Sequence, residues 1–154
     1  MMTNLCCNVL DAVKGKTLVT AESCTGGGIG AVLTAVSGSS EVYKGGVICY
    51  TNWVKENVLG VDGEVLERYG AVSWPVAGAM ASGVRKLLNA DVAVSVTGLA
   101  GPGGDDYGNE VGTVYIGFES NSKAEVRKFH FSGDREAVRN QAIEAALNMI
   151  LENI

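Results

Sequence analysis

Histidine and proline are scarce in this 154-residue chain, which has one His and two Pro, and its 12 basic residues are outnumbered by 17 acidic ones. Each shortage excludes something. One His is too few for a Cys/His zinc site, and the four cysteines (Cys6, Cys7, Cys24, Cys49) contain no Cys-x-x-Cys pair. Adjacent Cys6 and Cys7 make poor disulfide partners, so reduced thiols in a cytoplasmic protein are expected. A net charge of −5 lacks the basic footprint of a nucleic-acid binder. The short clusters Arg85-Lys86 and Arg127-Lys128 read as solvated surface. No apolar run approaches the ~20 residues of a membrane span. Residues 1–14 also lack the basic stretch and cleavage site of a signal peptide.

Glycine, by contrast, is plentiful at 21 residues, and 47% of the chain is hydrophobic against 19% charged. Those proportions describe one globular domain over residues 1–154 with many tight turns between regular elements. Leu5, Val9, Leu10 and Val13 recur at helical spacing over residues 3–14, and Gly15 stops that helix. "KTLVTA" reads as a strand, followed by a helix carrying Ile29, Val32, Leu33 and Val36 to about Ser37. "GGVICY" (45–50) is a second strand. Asn52 is expected to cap a short helix with Val54, Val58 and Leu59, and Asp62 to start another with Val65, Leu66 and Tyr69. Ser73, with Pro75 in the first turn, opens a longer helix through Leu88.

"DVAVSVTG" (91–98) reads as a strand buried on both faces, and residues 99–112 as a glycine-rich loop. "TVYIGF" and "AEVRKFHF" form a hairpin, and a final helix, capped by Ser132 or Asp134, carries Val138, Ala142, Ala145, Ala146 and Met149. Trp53, Trp74 and Met80 read as core or interface, apolar helix faces usually meaning core. Early strand–helix alternation with a late hairpin fits a three-layer α/β/α sandwich around a mixed, mainly parallel sheet.

"TAESCTGGGIGAV" (20–32) is where the chemistry concentrates, because a strand gives way to a helix there. Three readings compete. Gly26, Gly28 and Ala31 fit the loose glycine spacing of a dinucleotide-binding turn, but no acidic residue ends a second strand about 20 residues on; Glu41 has the spacing and lies in a loop. Alternatively the motif is structural, with Thr25 or Ser23 capping the helix and the glycines allowing close packing. Third, Ser23 or Cys24 is a nucleophile facing backbone N–H groups, as in the serine elbow of hydrolases, although Gly-x-Ser-x-Gly is absent.

A serine nucleophile needs a base. Strand alternation puts the lone His130 on the solvent side with Lys128, opposite Phe129 and Phe131, which argues against a Ser-His-Asp triad. Ser120-Asn-Ser-Lys123 matches Ser-x-x-Lys but falls in the hairpin turn. Lys55 is the better candidate. It lies six positions beyond Cys49, among Trp53, Val54 and Val58, where burial would lower its pKa.

Six blocks in order — "AESCTGG", "GGVICYTNWVK", "YGAVSWPV", "SVTGLAGPGG", "VGTVYIGF" and "FSGDREAVR" — resemble the CinA C-terminal domain family of nicotinamide-nucleotide amidohydrolases. The resemblance runs from about Thr20 to Arg139. It implies hydrolysis of the nicotinamide mononucleotide carboxamide to nicotinate mononucleotide and ammonia, in pyridine nucleotide recycling, with no metal or other cofactor. It further implies Ser23 as nucleophile, Lys55 as base, and Tyr50 relaying a proton or orienting Lys55. Thr25, Gly26, Gly27, Thr97, Gly98, Arg135 and Arg139 would bind substrate, Arg135 through its phosphate, and amides near Thr25–Gly27 would hold the oxyanion. The larger N-terminal domain of many members has no counterpart in this resemblance, so its activity is not expected here.

Where the family usually has Lys-Pro-Val-Gly, this chain has Asn109-Glu110-Val111-Gly112. Together with Asp105 and Asp106, Glu110 makes the loop acidic, which would weaken phosphate binding if the loop reached it. The expected partner is therefore a small-molecule nucleotide, with no nucleic acid and no membrane; self-association into a homo-oligomer is left open. The competing functions are a catalytically silent nucleotide-binding or interaction module linked to competence or DNA-damage responses, and a dinucleotide-dependent oxidoreductase.

Overall fold

The computed structural model describes residues 2–154. Along the chain run α1 (Met2–Ala12), β1 (Leu18–Glu22), α2 (Gly28–Thr34), β2 (Tyr43–Ile48), α3 (Asn52–Asn57), α4 (Gly63–Tyr69) and α5 (Trp74–Leu87). Then come β3 (Val92–Gly98), β4 (Thr113–Ser120), β5 (Ala124–His130) and α6 (Arg135–Asn153). The five strands form one sheet in the order β2-β1-β3-β4-β5. β1 pairs in parallel with both β2 and β3, whereas the β3–β4 and β4–β5 pairs are antiparallel, so only β4 runs against the rest.

Side-chain alternation divides the core into the two layers that flank this sheet. Leu18, Val92, Val94 and Val96 point to the face covered by α1, α2 and α6, where they meet Val9, Leu33, Ala146 and Leu147. Val19, Ala21 and Ala93 point the other way, to Leu66 of α4 and Val76, Met80 and Val84 of α5. β3, the middle strand, is buried along its length up to Gly98, as its uninterrupted apolar run requires. Gly117 of β4 allows α5 to sit close, since a Cβ there would lie 2.6 Å from the Ala77 carbonyl. Ser95 Oγ donates to that same carbonyl at 2.6 Å.

Local details depart from the expectations in instructive ways. β2 spans Tyr43–Ile48 rather than 45–50, leaving Cys49 and Tyr50 free to turn toward the site. The cap of α3 is Thr51, whose Oγ1 accepts from Val54 N–H at 3.5 Å, not Asn52. Asp134 rather than Ser132 caps α6, accepting from Ala137 N–H at 2.9 Å. Met80 is core, but Trp53 and Trp74 are 68% and 65% exposed, because each stands in the first turn of its helix, beyond the sheet's edge. Among the described residues no helix is long and apolar enough to cross a membrane.

Candidate active site

Parallel neighbours leave a sheet on the same side, so residues following β1, β2 and β3 gather at one edge. At that edge β1 ends on Glu22, and Ser23 N–H still pairs with Val96 O of β3 at 2.9 Å. The chain then arches through Gly26 (φ +58°) and Gly27 (φ +95°) into α2. Left-handed backbone at both positions explains two of the three consecutive glycines without any ligand. No side chain of the arch caps α2, contrary to the expectation for Ser23 or Thr25. The Glu22 carboxylate does so instead, accepting from Ile29 N–H at 2.8 Å and Gly30 N–H at 3.1 Å. These are the amides a dinucleotide's pyrophosphate would need. The dinucleotide reading fails because the chain's own carboxylate already holds them.

α3 follows β2 almost at once, which brings Lys55 beside the β1 exit. Its side chain is 1% exposed, with Nζ donating to Ser23 Oγ at 3.0 Å and to Cys49 O at 2.8 Å. Burial pushes the lysine pKa down, partly opposed by the neighbouring Cys49 and Cys24 thiols. A buried ammonium loses several kcal/mol of hydration, on the order of magnitude found for buried ions, and this is the cause of the downward shift. Two bonds from an ammonium to neutral oxygens return about 1.5–3 kcal/mol each. In the uncharged form one hydrogen serves Cys49 O, and the lone pair accepts from the Ser23 hydroxyl. Cys24 is the weaker nucleophile candidate, because burial drives its thiol up to about 11 and keeps it protonated.

Ser23 and Lys55 stand at the base of a cavity of about 510 Å³, walled by Tyr50, Asn52, Thr97, Gly98, Arg135 and the loop from Leu99 to Tyr107. Tyr50 is half exposed at the mouth, and its hydroxyl accepts from Arg135 Nη2 at 3.0 Å. Its hydrogen-bond partner here is Arg135, and no hydrogen bond joins it to Lys55, whose amine bonds to Ser23 and Cys49. Arg135 also donates to Gly101 O at 2.7 Å, bridging the β2 exit and the glycine-rich loop. Thr97 Oγ1 donates to Ala71 O at 2.9 Å, which anchors the opposite wall.

The other four expected binding residues do not line this cavity. Thr25 is fully buried and donates its hydroxyl to Glu22 at 2.8 Å. Gly26 and Gly27 form the outer curve of the arch, where a Cβ on Gly27 would meet Ile48 at 3.0 Å. Arg139 reaches the arch from behind, donating to Cys24 O at 2.9 Å and Thr25 O at 3.1 Å. His130 is half exposed beside Glu110, 3.3 Å away and remote from Ser23's wall of the cavity. Ser120 and Lys123 flank the hairpin turn.

Of the acidic loop's three carboxylates, Asp105 is turned upon the loop itself. Asp105 Oδ1 accepts from the N–H groups of Tyr107 and Asn109 at 3.1 and 3.2 Å, and Oδ2 from Asn109 Nδ2 at 2.7 Å. Asn109 also donates to Val72 O at 3.0 Å, and Tyr107 OH to Glu67 O at 2.7 Å. Only Asp106 remains as a solvent-facing carboxylate on the cavity wall. Glu22, Asn52 and Tyr107 are not among the site residues expected from the sequence; an Asx turn at Asp105 is the one local signal that marks this loop. Among the described residues no cluster of three His, Cys, Asp or Glu could hold a metal ion.

Comparison with known proteins gives a consistent result. A family model described as the CinA C-terminal domain matches residues 3–154. A putative competence-damage inducible protein of Bacillus subtilis (strain 168) is 48% identical over 139 residues, covering 90% of this chain and 33% of that protein. A CinA-like protein of Rippkaea orientalis (strain PCC 8801 / RF-1) is 49% identical over 138 residues, covering 88% and 33%. The chain thus spans about a third of the length of these curated relatives. Among solved structures, a competence-damaged protein (CinA) superfamily protein of Klebsiella pneumoniae 700603 superimposes with a TM-score of 0.96 at 35% identity, over 99% of this chain and 97% of that one. The competence/damage inducible protein CihA of Agrobacterium tumefaciens gives 0.94 at 35% identity, over 98% and 94%.

Proposed function

The chain belongs to the CinA C-terminal domain family, and from that premise we propose that it is a serine amidohydrolase acting on nicotinamide mononucleotide. The observation that carries this reading is the 3.0 Å contact between Ser23 Oγ and the buried amine of Lys55. Lys55 takes the hydroxyl proton as Ser23 attacks the carboxamide carbon. The developing oxyanion faces the N–H groups of the arch. The lysine then returns its proton to the departing nitrogen, and ammonia leaves. Water, deprotonated by the same amine, attacks the acyl-enzyme and releases nicotinate mononucleotide with Ser23 restored. Arg135, already at the mouth, exchanges its neutral partners for the substrate's phosphate.

Ammonia release from nicotinamide mononucleotide by the purified protein tests the proposal. The expected result is turnover by the parent protein and none by Ser23→Ala or Lys55→Ala. A parent protein that binds the nucleotide without releasing ammonia would instead point to a silent binding module.

A further inference from the structure

We propose that Glu22 and Arg139 are positioning residues that clamp the Ser23 arch, holding the nucleophile and the N–H groups of the arch in place; the proposal rests on Ser23 being the nucleophile. Glu22 is a buried carboxylate, 2% exposed, that forms no ion pair among the described residues. Its oxygens take four neutral donors: the hydroxyls of Thr25 (2.8 Å) and Thr20 (3.2 Å) and the N–H groups of Ile29 and Gly30. An unpaired buried charge is costly unless its acceptor sites are filled, and here every donor lies on β1, the arch or the first turn of α2. The carboxylate therefore rivets those three pieces together. The space around it is reserved by Gly30, where a Cβ would stand 2.8 Å from Tyr43 OH, itself 2.7 Å from Thr20 Oγ1.

Peptide planarity supplies the second half. Arg139 Nε holds the Cys24 carbonyl from behind the arch. In a trans peptide the following N–H points opposite to that carbonyl. Thr25 N–H is thereby directed away from Arg139. Ser23 N–H pairs with Val96 O of β3, hydrogen bonds within the arch engage the N–H groups of Gly26 and Gly28, and Glu22 engages those of Ile29 and Gly30. The N–H groups of Cys24, Thr25 and Gly27 have no partner among the described residues. Glu22 fixes Thr25 by its hydroxyl and Arg139 fixes it by the preceding carbonyl, so its amide is held at two points.

The test uses Glu22→Gln, Glu22→Ala and Arg139→Met, with two activity readouts. One is amide turnover, the other the rate at which a fluorophosphonate labels Ser23, which does not depend on the natural substrate. Displacing an oxyanion donor by about 1 Å costs on the order of 100-fold in rate. All three variants should lose about that factor in kcat and in labelling, with KM within a factor of about three. Formate should restore labelling of Glu22→Ala at least about tenfold, chloride at equal ionic strength not at all. A raised KM with unchanged kcat in Arg139→Met would overturn the clamp in favour of direct substrate binding. So would parent-level labelling in all three variants, or a loss in Glu22→Ala that tracks a collapsed melting temperature and ignores formate. If the parent labels at Ser23 yet releases no ammonia, the substrate assignment fails while the clamp is still decided by labelling.

Discussion

The two walls of the cavity are built on opposite plans. On one side the arch from Ser23 to Gly28 is tied from three directions, to Glu22 beneath, Arg139 behind and Lys55 in front. On the other, the loop from Leu99 to Tyr107 exposes Pro102, Gly103 and Gly104 and is fastened only at intervals, by Arg135, Asp105 and Tyr107. Chemistry needs reacting atoms held to a fraction of an ångström, whereas recognition of a nucleotide tolerates adjustment. Under the proposed function, the difference places rate on one wall and affinity on the other.

The sharpest way to break that division is to remove both members of the buried pair. Ser23→Ala and Lys55→Ala should each lower kcat by about 10⁴-fold or more, and the double variant by no more than either alone, since the two act as one unit. Additive losses, measured by ammonia release, would mean that the groups act separately. Next in size is the pH response. Burial lowers the Lys55 pKa in the folded protein, and the uncharged amine is the reactive form. The kcat/KM value should thus stay level above that lowered pKa and fall about tenfold per unit below it. An acid limb that persists in Lys55→Ala would assign it to another group.

On the loop wall, Arg135→Ala should raise KM about tenfold, a loss of about 1.4 kcal/mol, and change kcat by less than about threefold. A drop confined to kcat would put Arg135 on the chemical side. Smallest is Tyr107→Phe, which removes one bond to Glu67 O. Steady-state kinetics should show a KM change of no more than about threefold, and the melting temperature should fall by about 2–4 °C, in line with ~1 kcal/mol for one exposed hydrogen bond.

Much of this arrangement could be read in the chain before the coordinates. A valine-rich run such as Val92–Val96 announces a central strand, and Pro75 after Ser73 announces α5, because those signals are local. Ser23 and Lys55 were each recognisable as candidates, but their meeting depends on β1 and β2 being parallel neighbours, which no spacing encodes. Glu22 carries no local signal of its part in the site; its contacts are visible only once α2 folds back over it. The family resemblance implies substrate binding for Arg139, yet one helical turn separates it from Arg135, enough to send one guanidinium to the cavity mouth and the other behind the arch.

The bond from Arg139 to the Cys24 carbonyl joins residues 115 positions apart. Cutting the chain within the exposed Pro102–Gly104 stretch would leave nucleophile and base on one fragment and both arginines on the other. Neither piece alone would carry a working arch. Activity recovered on mixing the two would report noncovalent reassembly of the sheet, which makes this domain a natural candidate for a split reporter.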